Sequence, residues 1–200
     1  MKKLHYEDLP PLLKKLKDDY GYVYFDDGDY DLNIIGVRKL GDDSGFNQFN
    51  DRIFIIYKKG DIWVEESGAA TTDPGRYWLL KPDYHPCAIM KHPQQARGAY
   101  KLGIHRGYEA LTQCAPLEYW RDGSKDEILN YEGEVWKKNI ALNIHRSSTR
   151  EGGSVYVDRH SAGCQVWQDP IDFKRMLELC KLQIKTLGYR TFTYTLIAEE

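Results

Sequence analysis

Cys164 and His145 are the two residues of this 200-residue chain whose types and spacing point most directly to chemistry. A thiol is a useful nucleophile only as thiolate, so it needs a base or a positive environment beside it. Cys164 ends the run Arg159-His160-Ser161-Ala162-Gly163-Cys164, and His145 lies 19 residues upstream in Asn143-Ile144-His145-Arg146. The Glu151-Gly152-Gly153 excursion between them can fold back and bring imidazole to sulfur. Ala162 and Gly163 allow a sharp turn that aims main-chain N–H groups at an oxyanion developing beside the sulfur. This set describes acyl transfer through a thioester. A buried structural cysteine with an unrelated surface histidine is the other reading of the same residues, since cysteine is among the most buried residue types.

These residues need a strand-rich scaffold to position them. Residues 33–38 and 53–57 read as strands, and Lys58-Lys59-Gly60-Asp61 reads as a hairpin turn into a further strand at 62–66. Thr71-Thr72-Asp73-Pro74-Gly75 closes that hairpin with dense turn chemistry. Residues 76–116 are rich in Pro, Gly and His with little periodicity and are expected to form long ordered loops. Further strands are expected at 117–121 and 139–146. Asp169-Pro170 opens a helix running to Leu187, with Phe173, Met176, Leu177, Cys180 and Ile184 at helical spacing and Gly188 at the C′ position. Residues 191–197 alternate as a half-buried closing strand. Near the start, residues 8–19 read as an amphipathic helix with Asp8 as N-cap and prolines 10 and 11 in its first turn. Asp26-Asp27-Gly28-Asp29 lacks the terminal glutamate of a calcium loop and reads as a solvated turn. The expectation is one domain over residues 1–200, mixed α+β and strand-rich, with a helix at each end; residues 1–31 form an N-terminal extension and 32–200 the core.

Composition narrows the function classes. A net charge of −2 argues against nucleic acid or an anionic membrane as partner. The 15 tyrosines and 5 tryptophans suit grooves for sugars or peptides as well as core packing. No apolar run has the length of a membrane span, and His5, Glu7 and Asp8 stand where a signal peptide needs its apolar region. The chain is therefore expected to be made in the cytoplasm. Cysteines 87, 114, 164 and 180 show no CxxC pairing, so no disulfide framework is expected.

The segment 143–166 resembles the active-site signature of the L,D-transpeptidase (YkuD-type) catalytic domain. That family carries a histidine-glycine pair, a variable loop, and Ser-His-Gly-Cys followed by an apolar residue and an arginine. His145-Arg146 and Ser161-Ala162-Gly163-Cys164-Gln165-Val166 stand at the matching positions, and Thr72-Asp73-Pro74-Gly75 resembles the family's Thr/Pro/Gly turn. The resemblance covers residues 50–175, most closely 143–166. It departs from the family at Ala162, with His160 displaced across Ser161, at Arg146, and at Val166, where the family's peptide-holding arginine is expected. A divergent, phage-associated branch of murein peptidases fits these departures.

The resemblance implies a β-sandwich core and no cofactor, with peptidoglycan or muropeptides as partner. It implies Cys164 as nucleophile on a stem-peptide carbonyl, His145 as general base and acid, Gly163 as main-chain oxyanion donor, and the Arg146 carbonyl orienting His145. Ser161, Asn143, His160, His105 and Arg121 are the expected substrate-binding residues. Such a protein would act in the periplasm or cell wall after export or phage delivery, as a hydrolase or a transpeptidase. A non-catalytic wall-binding or phage structural module is the alternative. A papain-like amidase is a third, opposed by Gln165-Val166-Trp167 and Asp169-Pro170, which disfavour a helix beginning at the cysteine.

Other residues give weaker signals. His105 sits in Ile104-His105-Arg106, the same triplet as 144–146, and competes as base. His85-Pro86-Cys87 with His92 suggests a metal at a glance, but the spacing is loose and Pro86 and Pro93 stiffen the loop, so no metal is expected. Arg76, Arg106, Arg121, Arg146 and Arg159 are candidates to hold substrate carboxylates.

Overall fold

A computed structural model describes residues 1–41, 46–81 and 86–199. In chain order the elements are β1 (Lys2–Tyr6), α1 (Pro11–Tyr20), β2 (Asn33–Lys39), β3 (Asp51–Lys59), β4 (Ile62–Thr71), α2 (Arg76–Leu79), β5 (Cys87–Met90), β6 (Gln94–His105), β7 (Tyr108–Gln113), β8 (Leu117–Asp122), β9 (Trp136–Lys138), β10 (Ile144–Arg146), β11 (Gln165–Trp167), α3 (Pro170–Leu187) and β12 (Thr191–Glu199). The fold is mixed α+β and strand-rich.

The sandwich expected from the resemblance takes a different form here. One sheet runs β4-β11-β10-β7-β6-β12-β2-β3 and closes because β3 also pairs with β4, making a ring of eight strands. Closure is possible because β4 is long enough to serve three neighbours. Its residues 63–67 pair with β1 and its residues 70–71 with β11, while its other edge carries β3. The N-terminal segment is thus part of this sheet through β1. A second sheet, β5-β8-β9, lies against the ring near the cysteine.

Alternation divides the packing into two faces. Ile34, Ile53, Ile55, Ile144 and Trp167 join Phe173, Met176 and Cys180 of α3 in the main core. Their neighbours Ile35 and Ile56 face the other way and cover Leu13 and Leu16 of α1. The helix α3 begins as expected: Asp169 caps it by accepting the Ile171 N–H at 2.7 Å, Pro170 occupies the first turn, and Gly188 closes it in the left-handed region.

Three expectations change. The region 76–116 contains a 12-residue strand, β6, hairpinned to β7 through Arg106-Gly107, both at positive φ. The strand expected over 139–146 is only Ile144–Arg146, because Gln113 Oε1 accepts the N–H groups of Ile140 and Leu142 and holds the chain away from a ladder. The N-cap of α1 is Pro10, two residues beyond Asp8. The acidic turn at 26–29 is tied to the β3–β4 hairpin, with Asp29 accepting from the Gly60 N–H and Asp26 paired to Lys58.

Candidate active site

The strands β10 and β11 run parallel with Ile144 opposite Gln165 and His145 opposite Val166. Ile144 faces the main core, so His145 turns to the opposite face. Cys164 and Val166 pack together on that same face with Phe49 and Val157. The register therefore sets His145 and Cys164 one diagonal step apart on neighbouring strands.

Gly163 makes the turn into β11 possible. Its φ is +129, and an added Cβ would fall 2.2 Å from the Ala88 carbonyl oxygen of β5. Ser161 fastens the same turn: its hydroxyl accepts the Gly163 N–H at 3.1 Å and donates to the Cys164 carbonyl at 2.8 Å. Ser161 is buried, and its carbonyl accepts the Gly75 N–H at 2.8 Å, which docks the 72–75 turn against this loop. The Ser161 hydroxyl and the Gly163 N–H, expected to serve substrate and oxyanion, are thus both engaged within the turn.

The histidine has one nitrogen fixed. His145 Nδ1 lies 2.9 Å from the Arg146 carbonyl oxygen. That oxygen can only accept, so Nδ1 carries the proton and Nε2 keeps its lone pair. The Tyr108 hydroxyl stands 3.3 Å from the same nitrogen and donates to the same carbonyl at 3.5 Å, while the Arg146 guanidinium lies 4.1 Å over the Tyr108 ring.

His105 stacks on His145, with ring centroids 4.2 Å apart and an interplanar angle of 13°. The strand between them, β7, presents Ala110 at this level, one step along the Ile144–Leu111 register. Asn143 holds His105 in place. Its Oδ1 accepts the Gln113 N–H at 2.9 Å, which turns its Nδ2 toward His105 Nδ1 at 3.0 Å. His105 therefore accepts at Nδ1 and carries its proton on Nε2.

Burial dominates the electrostatics. It pushes the His145 imidazole down to about 3, against the Arg146 hydrogen bond, and His105, Arg106 and His160 push the same way. It pushes the Cys164 thiol up to about 11, with the Asn143 main chain and Arg106 opposing. The thiol also donates to the Ala141 carbonyl at 3.6 Å. Both groups are neutral at pH 7, so the arrangement is a thiol and a base rather than a thiolate–imidazolium pair. A carbonyl attacked by the sulfur could lose its leaving group only with His145 Nε2 taking and then returning the thiol proton.

The expected site residues fall into three groups. His145, Cys164, Asn143, His105 and the Arg146 carbonyl come together; His160 is half-buried and close enough for its charge to act on His145. Ser161 and Gly163 shape the turn. Arg121 lies on the second sheet, donating to the Pro86 carbonyl at 2.7 Å and stacking on Tyr119, and makes no contact with these groups. The parts missed in the sequence are Tyr108 and Gln113, whereas Arg106, a candidate carboxylate holder, lies close enough for its charge to act on both His145 and Cys164. The repeated Ile-His-Arg triplet at 104–106 and 144–146 was the available signal, since the structure lays its two histidines on each other. Of the possible metal residues, His85 lies outside the described residues and His92 Nδ1 is occupied by Arg38 at 2.6 Å. Among the described residues no cluster of His, Cys, Asp and Glu could hold a metal ion, and no helix is long and apolar enough to cross a membrane.

Behind the site, Gln165 accepts from the Tyr194 hydroxyl at 2.8 Å and donates to the Thr72 carbonyl at 3.3 Å, linking the strand after the cysteine to a buried charged cluster. Arg38 is fully buried there. It donates to Thr72 Oγ1 at 2.9 Å, to the Thr72 carbonyl at 2.8 Å and to the Met90 carbonyl at 2.9 Å, and pairs with Asp73 at 3.1 Å. Asp51 accepts from Lys39 N–H, Thr72 N–H and the Thr72 hydroxyl. No family model, curated protein or solved structure matches the chain.

Proposed function

We propose that this protein is a single-domain, L,D-transpeptidase-like cysteine enzyme that performs acyl transfer on peptidoglycan stem peptides. Cys164 attacks a peptide carbonyl, His145 takes the thiol proton at Nε2 and returns it to the departing amine, and the resulting thioester passes to water or to an amine acceptor. The observation that supports this reading is the β10–β11 register, in which His145 lies opposite Val166 and one diagonal step from Cys164, with its Nδ1 tied to the Arg146 carbonyl. The resemblance of 143–166 supplies the substrate class, and with it a site of action at the cell wall reached by export or phage delivery.

Incubation with purified muropeptides followed by mass analysis tests the reading. New or lost peptide bonds are expected with the native chain, and a drop of at least about 100-fold for Cys164→Ala and His145→Gln, the range for removing a nucleophile or general base. Unchanged turnover in Cys164→Ala overturns it.

A second reading, a non-catalytic wall-binding or phage structural module, draws on a specific observation: the thiol is held protonated up to about 11 and the Gly163 N–H is engaged by Ser161. It expects co-sedimentation with sacculi, equal for native and Cys164→Ala, without any change in the muropeptide profile.

A further inference from the structure

A groove runs beside the proposed site, and no proton or acyl step of the proposed reaction uses it. Two adjoining hollows of about 670 and 610 Å³ share Ser154, Tyr156, Asp158 and His160 as a common floor. Tyr77 and Arg159 stand along one hollow and Arg150 along the other. His160, which lines both hollows, lies close enough to His145 for its charge to act there.

The groove is built, not loose. Asn47 ties its two sides: Oδ1 accepts the Arg76 N–H at 3.0 Å and the Asp158 N–H at 2.7 Å, and Nδ2 donates to Asp158 Oδ1 at 2.8 Å. At Gly153 an added Cβ would fall 1.7 Å from the Gln168 carbonyl oxygen, and Gln168 Nε2 donates to the Ser154 carbonyl at 3.0 Å. This rigidity means little ordering is needed when a ligand docks.

Its chemistry is cationic and aromatic. Asp158 is the lining carboxylate, and Asn47 already engages it. The Arg159 guanidinium lies 4.1 Å over the Tyr77 ring, held on an aromatic face with its N–H edges available. Among the described residues neither Arg159 nor Arg150 forms an ion pair. Beside them Tyr156 is 55% exposed and Val155 72%, apolar surface with nothing packed on it. Because the two arginines line different hollows, a compact anion fills one, whereas a chain with spaced carboxylates engages both.

We propose that this groove binds an extended acidic peptide, with its carboxylates on Arg159 and Arg150 and its apolar portions against the exposed Tyr156 and Val155. The inference rests on the acyl-transfer reading only for the reaction after binding, since it names the substrate class that the neighbouring Cys164 would meet.

The test is calorimetric titration of the full-length Cys164→Ala chain, which cannot turn substrate over, with acetyl-Ala-Glu-Ala-Glu-Ala, with its glutamine counterpart, and with inorganic phosphate. The acidic peptide is expected to bind about tenfold more tightly than the glutamine peptide, the usual scale for one charge-assisted contact. Its affinity should fall by about the same factor in Arg159→Gln and in Arg150→Gln, weaken in high salt, and stay unchanged in Arg190→Gln, in the link between α3 and β12. Equal binding of the two peptides, unchanged affinity in both arginine variants, or phosphate binding as tightly as the acidic peptide overturns the proposal. Muropeptide turnover without peptide binding would remove this groove and leave the acyl-transfer reading standing. Peptide binding without turnover would do the reverse.

Discussion

Two buried polar clusters lie on either side of the strand after Cys164, and they are built on opposite principles. Around Arg38 nearly every donor and acceptor is engaged: the guanidinium has Thr72, Met90, His92 and Asp73, and Asp51 takes three hydrogen bonds. Around His145 the bonds fix one nitrogen and leave the other open, and the sulfur has a long contact to the Ala141 carbonyl with the Asn143 main chain beside it. A cluster with nearly every group satisfied holds a fold in one register; a cluster with an open base and an unionised thiol leaves polar groups uncommitted. Substitutions in the first should therefore act on stability, and those in the second on reactivity.

The largest effect is expected for Arg38→Leu. It leaves Asp51 and Asp73 buried without their cation, a change that costs about 3–5 kcal/mol when one partner of a buried pair is removed. Urea unfolding should show this as a lower midpoint with unchanged slope. A loss below about 1 kcal/mol, the scale of an exposed ion pair, would mean the cluster is not the structural half of the contrast.

Gly163→Ala comes next, at about 2–4 kcal/mol from backbone strain and forced packing together. The positive φ and the Ala88 carbonyl both oppose a side chain. Because the strain falls on the turn that aims the sulfur, iodoacetamide labelling of Cys164 should change with it, whereas in Arg38→Leu labelling of the folded fraction should keep the native rate.

This division also decides what could be read in the sequence. The helix α3 was legible because its cap, its apolar spacing and its closing glycine are local signals that tertiary packing did not overrule. The nearness of residues 145 and 164 was expected from spacing and resemblance, although the parallel register behind it was not legible. The hairpin of β6 and β7 was invisible because β6 is half-exposed and interrupted by Gly98 and Gly103, and Arg106-Gly107 is not a typical turn pair. With that hairpin went Tyr108 and the stacking of His105 on His145, which depend on it. The role of Ser161 was equally hidden, since a serine three residues before a cysteine looks the same whether its hydroxyl points outward or into its own turn. Closure of the ring depends on β4 serving three partners, which no local pattern encodes.

His145 and Asp73, one from each cluster, should also respond to pH with opposite signs. Burial holds His145 down at about 3, below the ordinary histidine value of about 6.5. A depressed folded-state value gives stability that is fully present above about 6.5 and is lost as pH falls toward 3. His92, pushed down to about 4 by burial and by Arg38, acts in the same direction. Asp73 is raised by burial to about 6, so its contribution is present below about 3.9 and is lost as pH rises through 6. Urea midpoints measured from about pH 7.5 to 4, the span that brackets these values, should fall less steeply in His145→Gln than in the native chain, and more steeply in Asp73→Asn. Parallel curves for all three would show that neither group titrates as its surroundings require.

The smallest expected effect is the one that separates reactivity from stability most cleanly. His105 is half-buried, and replacing it with alanine should cost about 1 kcal/mol or less, the scale of one stacked ring and one hydrogen bond. Its loss nevertheless opens the outer face of His145 to water and removes a like-charged neighbour, both of which raise the His145 pKa. Nitrogen-detected NMR of the ring should show His145 titrating upward from about 3 toward the ordinary histidine range in His105→Ala. His105→Phe keeps a flat ring over His145, so it should hold most of the depression despite losing the bond to Asn143. If His105→Phe and His105→Ala shift the titration equally, the stacked ring is not what keeps His145 dry, and the contrast between a satisfied cluster and a poised one must rest on the Arg146 carbonyl and on Tyr108 alone.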